Sequence, residues 1–280
     1  MFSLVLGVTL LVIAWLLAVP WLQHRRRKWL AQRPFPAEWR SILQRRVPLY
    51  ARLPAPLRER AERRILIFLA EKQFIGCAGL EVTDEMRVTV AAQAALLVLQ
   101  RPGNPYPNLR QVLLYPGAFI VERLRPEPSG VLQEHRQVLT GESWSRGQVV
   151  LSWEDVATAA AGTEDGANVA IHEFAHQLDQ EKGYANGAPY LGHRERYGPW
   201  SEVMGREFAQ LQWNIAQGYP TLLHPYGATD PAEFFAVASE IFFGQARRLA
   251  AEHPGLYAEL QRFYRVDPAS WPQSPSYDGQ

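Results

Sequence analysis

The chain has a single cysteine, Cys77, in 280 residues. That excludes an intramolecular disulfide framework and fits a reducing compartment. No histidine lies near Cys77 in sequence, so it reads as a packing residue and not as a nucleophile. The chain also lacks a surplus of either charge, with 29 basic residues against 28 acidic ones and a formal net charge of +1. Nothing in that balance calls for nucleic acid. The basic residues gather instead between His24 and Arg64. What the chain has in plenty is apolar material, 47% against 20% charged, enough for one large domain or two small ones.

The chemistry is concentrated in Val169-Ala170-Ile171-His172-Glu173-Phe174-Ala175-His176-Gln177-Leu178-Asp179. Positions i and i+4 share one face of a helix, so both imidazoles can reach one metal ion. Glu173 lies one residue round, placed to act on water as a general base without ligating. The apolar neighbours predict a buried central helix, with Gly162 and Gly166 before it and Gly183 after it. This is the layout of a zinc hydrolase.

Residues 2–22 form an uncharged apolar run followed at once by His24-Arg25-Arg26-Arg27-Lys28. A run of about 20 residues matches a bilayer core, and the positive-inside rule keeps the charged side cytoplasmic. The expectation is a single-pass inner-membrane anchor with the catalytic domain facing the cytoplasm. The basic, Pro-punctuated stretch that follows reads as a juxtamembrane connector. Helical periodicity predicts helices over 57–74, 83–99, 200–217, 231–248 and 256–264, with a turn at 74–80. Short strands are expected at 112–115, 119–121, 130–140 and 148–153. The last of these stands just before the metal helix and is a candidate edge strand for pairing with a peptide main chain. Residues 184–199 read as a loop on the rim of the site, and the tail from Asp267 as loose.

Three protein ligands are needed for such a zinc site. A third histidine in the H-E-x-x-H-x-x-G-x-x-H spacing is excluded, because Asp179 and Lys182 occupy those places. Glu195 and Glu202 lie at the spacing of ligands borne on the next helix, but in weakly apolar settings. Glu233 is the stronger candidate. Asp230-Pro231 is a helix start, and Phe234, Phe235, Ala236 and Val237 make that helix apolar. A glutamate entering such a core needs a strong partner. A capping box, in which Glu233 reaches back to the Asp230 amide, is the competing explanation, and the apolar company of Glu233 stands against it. Glu240, on the same face, is the rival ligand or else the acceptor for a histidine N–H.

His172-Glu173-Phe174-Ala175-His176-Gln177-Leu178-Asp179, taken with Tyr226-Gly227-Ala228-Thr229-Asp230-Pro231-Ala232-Glu233-Phe234-Phe235-Ala236-Val237, resembles the Mlc titration factor A family of zinc peptidases. Val112 to Pro116, Gly141 to Trp144 and Val150 to Trp153 resemble it too, and the likeness runs from about residue 74 to 268. The family's fold is similar to the catalytic domain of anthrax lethal factor. The resemblance implies that His172, His176 and Glu233 hold one Zn2+ per chain and that Glu173 is the base. Tyr226 would hydrogen-bond the substrate carbonyl oxygen or oxyanion. It also implies a gluzincin-type, aminopeptidase-like metallopeptidase acting on a peptide or protein. The family includes a cytoplasmic member that binds a glucose-responsive transcriptional repressor. The rival expectation is therefore a regulatory binding protein that sequesters such a partner with little hydrolysis. The apolar segment 2–22 sets this chain apart from that member.

The expected architecture is α+β, a mainly helical zincin-like domain with a small mixed sheet, preceded by a transmembrane helix. Its parts are the anchor (1–23), the connector (24–56), the metallopeptidase domain (57–268) and a flexible tail (269–280).

Overall fold

The computed structural model describes residues 2–103, 106–126, 132–139, 141–144, 147–163 and 166–272. Over these the chain forms α1 (Phe2–Ala31), α2 (Ala37–Arg46), α3 (Pro48–Ala51), α4 (Ala55–Glu71), β1 (Gln73–Gly76) and α5 (Asp84–Leu96). Strands β2 (Gln111–Tyr115), β3 (Phe119–Pro126), β4 (Leu132–Leu139), β5 (Gly141–Trp144) and β6 (Gln148–Ser152) follow. Then come α6 (Trp153–Ala161), α7 (Val169–Asp179), α8 (Tyr197–Ala216), α9 (Pro231–Gly244), α10 (Ala246–Glu252) and α11 (Pro254–Tyr264). The expected α+β class is what the chain adopts.

Four helices start where a short polar side chain precedes an apolar stretch. Thr83, Ser152, Asn168 and Asp230 cap α5, α6, α7 and α9 by accepting from first-turn N–H groups. Helix α5 is buried from Val88 to Leu96, the mark of a helix with apolar neighbours all round. The four-stranded sheet has the order β1-β2-β6-β5. Its first three strands are parallel, and β5 runs antiparallel to β6. Strands β3 and β4 form a separate antiparallel pair. Helix α7 packs against α5, α6 and α9 and against β5 and β6, so the motif sits where sheet and helices meet.

Several expectations are corrected here. No helix among the described residues is long and apolar enough to cross a membrane. The transmembrane anchor over 1–23, and with it the single-pass inner-membrane placement, does not stand. The apolar and basic runs form one continuous helix whose end is fastened to the domain. Arg27 makes a two-pronged contact with Glu71 of α4 at 2.6 and 2.9 Å, Arg26 donates to the Ala70 carbonyl, and Leu30 is buried. The stretch 24–56 is helical as well, and Leu43, Val47, Tyr50 and Leu53 lie in the main core. The expected turn at 74–80 is partly strand, since β1 runs through Gly76. Strand β6 is internal, and the edge strands are β1 and β5. Cys77 is only half-buried. Trp271 is 2% exposed, so the chain packs back onto the domain past residue 267; the tail over 273–280 lies outside the described residues.

Candidate metal centre

Polar residues in a helix as buried as α7 need partners. Ala170, Ile171, Phe174, Ala175 and Leu178 pack inward, yet Glu173, His176, Gln177 and Asp179 are buried too. Asn168 starts the helix by accepting from the Ile171 N–H at 3.0 Å. The helical period then sets His172 and His176 on one face, with their Nε2 atoms 3.1 Å apart.

Helix α9 brings the third group. Asp230 Oδ1 accepts from the N–H groups of Ala232 and Glu233 at 2.8 and 3.0 Å and caps the helix. The Glu233 carboxylate is engaged elsewhere, which argues against the capping-box reading. Its Oε2 lies 2.9 Å from His172 Nε2 and 3.3 Å from His176 Nε2. Its Oε1 accepts from the Tyr226 hydroxyl at 3.2 Å. Glu240, further along α9, takes the opposite side of His172, with Oε1 2.7 Å from Nδ1. The other Glu240 oxygen accepts from the Asn168 N–H. One carboxylate thus fixes both the ring and the start of the helix that carries it.

With Nδ1–H donating to Glu240, neutral His172 has its lone pair on Nε2. That lone pair faces Glu233 Oε2, itself an acceptor, and one ligand atom from each of His172, His176 and Glu233 lies within 4.8 Å of the others. Such atoms repel one another unless a cation lies among them. A proton can serve. Burial opposes charge on His172, but the hydrogen bonds to Glu233 and Glu240 outweigh it and raise its pKa to about 10. Burial also works against the Glu233 carboxylate, and the two histidines nonetheless hold it well below the ordinary carboxylate range. A divalent metal meets the same need, and two imidazole nitrogens with one carboxylate oxygen are a fitting donor set for it.

Tyr226 and Glu173 face the same cluster. The Tyr226 ring tilts against that of His172 with centroids 6.0 Å apart. Its phenol is raised above the usual range, by burial first and then by the charges of Glu233 and Glu173. Glu173 is 5% exposed, whereas Tyr226 is 44% exposed and so reaches the solvent side. Tyr226 sits in the short 3-10 turn Pro225–Ala228, and its N–H donates to His224 Nδ1 at 3.2 Å. Gly227 lets that turn press onto α9, since a Cβ there would come 3.2 Å from Val237 Cβ. Beside the turn is a cavity of about 330 Å³, lined by Thr221, Leu222, Tyr226, Val237 and Ile241 among others.

The reserve candidates lie elsewhere. Glu195 is exposed in the 3-10 turn Arg194–Arg196, and Glu202 is exposed on α8. Among the described residues only His172, His176 and Glu233 form a group able to hold a metal ion. Three supporting residues escaped the sequence reading. Asn168 was detectable as a helix N-cap before an apolar run. His224 carried no local signal. Asp179 Oδ2 accepts from the Asn186 and Gly187 N–H groups at 2.7 Å each, pinning the loop that leaves α7. Gly187 has a φ of +77°, and a Cβ there would come 2.3 Å from the Pro231 carbonyl oxygen. The loop is thereby pressed against the start of α9.

Residues 21–265 match the family model described as Glucose-regulated metallo-peptidase M90. An uncharacterized protein of Synechocystis sp. is 42% identical over 268 residues, covering 95% of this chain and 97% of the relative. Mlc titration factor A of Serratia proteamaculans is 32% identical over 256 residues, covering 89% and 92%. The protein of that name in Yersinia pestis is 32% identical over 248 residues, covering 86% and 89%.

Proposed function

The chain belongs to the glucose-regulated metallo-peptidase family, and from that premise we propose that it is a zinc-dependent peptidase of the gluzincin type, aminopeptidase-like in its reaction. The observation that carries the reading is the convergence of His172, His176 and Glu233, with Glu240 holding His172 from behind. In this reading those three residues are the metal ligands. A zinc ion held there would supply Lewis acidity towards a carbonyl and would lower the pKa of a bound water towards neutrality.

The protein's own groups do the rest. Glu173 takes the proton of the attacking water and delivers it to the leaving amine. The half-exposed Tyr226 hydroxyl donates to the oxygen that gains charge as the carbonyl is attacked. Glu240 keeps the His172 proton on Nδ1, so that Nε2 stays available as a ligand. The cavity beside Tyr226 is lined by His224 and Glu240 as well as Leu222, Val237 and Ile241, and its apolar part suits an uncharged side chain next to the scissile bond.

Glu173→Gln tests the assignment. The variant should keep its metal and lose roughly 10²–10⁴-fold in turnover of aminoacyl and peptide substrates, the usual range for removing a general base. Turnover at the wild-type rate would end the reading. The name of the Serratia and Yersinia relatives, Mlc titration factor A, supports a second role, binding a transcriptional regulator such as Mlc as a protein partner. Glu173→Gln separates the two readings, because a binding role survives it.

A further inference from the structure

The connection between α7 and α8 walls a second cleft that shares no residue with the histidine cluster. Its volume is about 220 Å³, some seven waters at roughly 30 Å³ each. Three arginines line it from different elements. Arg101 follows the end of α5, Arg196 lies just before α8, and Arg265 ends α11. Glu181 is the lone acidic residue in the lining and pairs with Arg101 at 3.0 Å. Three arginines against one glutamate leave the lining residues with two net positive charges.

The guanidiniums are also under-used. One terminal nitrogen of Arg101 and one of Arg196 are buried without a hydrogen-bond partner among the described residues. Among the described residues, the Arg196 guanidinium makes one long contact, 3.4 Å, to the Leu191 carbonyl. Basic residues at helix C-termini offset the helix dipole, which accounts for one arginine at one helix end. It does not account for three meeting in one cleft. Arg265 adds a separate sign. It occupies the left-handed region with φ 59°, at a helix end where glycine is the usual residue. A non-glycine residue held there carries strain, and such strain gathers at binding sites. Phe263, with Arg101 over its ring at 4.8 Å, and Leu191 supply an apolar side.

We propose that this cleft binds a small phosphate-bearing dianion, inorganic phosphate or a compact phosphomonoester, through Arg101, Arg196 and Arg265. A phosphate monoester carries about −1.5 to −2 charges at neutral pH, matching the two net positive charges of the lining. Planar guanidiniums pair with its oxygens in two-pronged fashion. The volume falls below the roughly 300 Å³ at which drug-sized ligand pockets begin, so the ligand is compact. Leu191 and Phe263 would meet the carbon part of an ester.

Calorimetric titration of the full chain with inorganic phosphate and with glycerol 3-phosphate, at constant ionic strength, tests this. The expected result is saturable binding at millimolar concentration or below, with the better probe showing whether a carbon part is used. Arg265→Gly is the decisive variant, because glycine suits the left-handed position and the fold should melt no lower than wild type. Its phosphate affinity should fall about tenfold or more, the range for losing a hydrogen bond to a charged group. Arg196→Gln should fall likewise, with metal content unchanged. Absence of saturable binding by the wild type, or equal binding by both variants, would overturn the proposal.

Discussion

The histidine cluster and the arginine cleft both gather charge, and they do so in opposite ways. In the cluster, imidazoles face carboxylates at 2.7 to 3.3 Å, so charge of both signs is present and a proton or a metal completes the set. In the cleft, positive charge is in excess and two guanidinium nitrogens lack partners among the described residues. The first arrangement asks for a cation and the second for an anion. Lys72 is the useful contrast to both. It is 8% exposed, yet its ammonium donates to the Tyr106 and Leu109 carbonyls at 2.8 Å each. A buried charge with such partners is part of the scaffold, and nothing about it calls for a ligand.

The sharpest way to break this contrast is through α9. Glu233→Ala should abolish metal binding and activity together, whereas Glu240→Gln should retain metal with affinity lowered about 10- to 100-fold, the usual effect of losing an outer partner. Metal analysis after dialysis reads both, and the reverse order would make Glu240 the ligand. Next in size is Tyr226→Phe. Loss of one donor to a developing oxyanion costs about 10²-fold or more in turnover, here with metal content unchanged. A purely packing role for the ring predicts wild-type kinetics.

The smallest effect tests the Lys72 side of the comparison. Burial lowers the Lys72 pKa from 10.5 to about 8. Between those values the unfolded chain binds more protons than the folded one, so this residue's contribution to stability rises with pH. The cost of burying the charge is felt in full below pH 8 and disappears above pH 10.5. Denaturant unfolding at pH 7.5 and at pH 10 should show wild type gaining roughly 1–3 kcal/mol relative to Lys72→Met, at about 1.4 kcal/mol per pKa unit. An identical pH response in the two proteins would mean that the two carbonyls fully offset the burial.

The legible part of this molecule was the part encoded locally. Helix α7 announced itself through an apolar surround and paired histidines, and α9 through Asp230-Pro231 followed by aromatic residues. Both signals are short-range, and the structure gathers the residues they pointed to. What was not legible depends on distant partners. Glu233 and Glu240 lie on one helix face, and only the packing of α9 on α7 sets Glu233 on His172 Nε2 and Glu240 on Nδ1. Strand β1 is four residues with exposed ends, and it exists because β2 pairs with it. The 24–56 stretch looked like a basic arm because its charges are frequent and its buried Leu43, Val47, Tyr50 and Leu53 are sparse. The apolar run of α1 suggested a membrane, while the contacts of Arg27 and Leu30 that fasten the helix end to the domain have no sequence signature.

Gly187 bears on the entropy of closing the site. The chain between His176 and Glu233 would have to be closed into a loop for a metal to draw on both ends, and ordering a long flexible loop is costly. The backbone contact between Gly187 and Pro231, held on one side by Asp179 and on the other by the Trp200 indole donating to the Gly187 carbonyl at 2.9 Å, already closes most of that loop. A metal ion taken up by these residues would therefore meet ends that are close together, the ordering having been done when the chain folded. A side chain at position 187 would wedge this inner closure open, and the penalty would surface as weaker metal binding at a site the residue never touches.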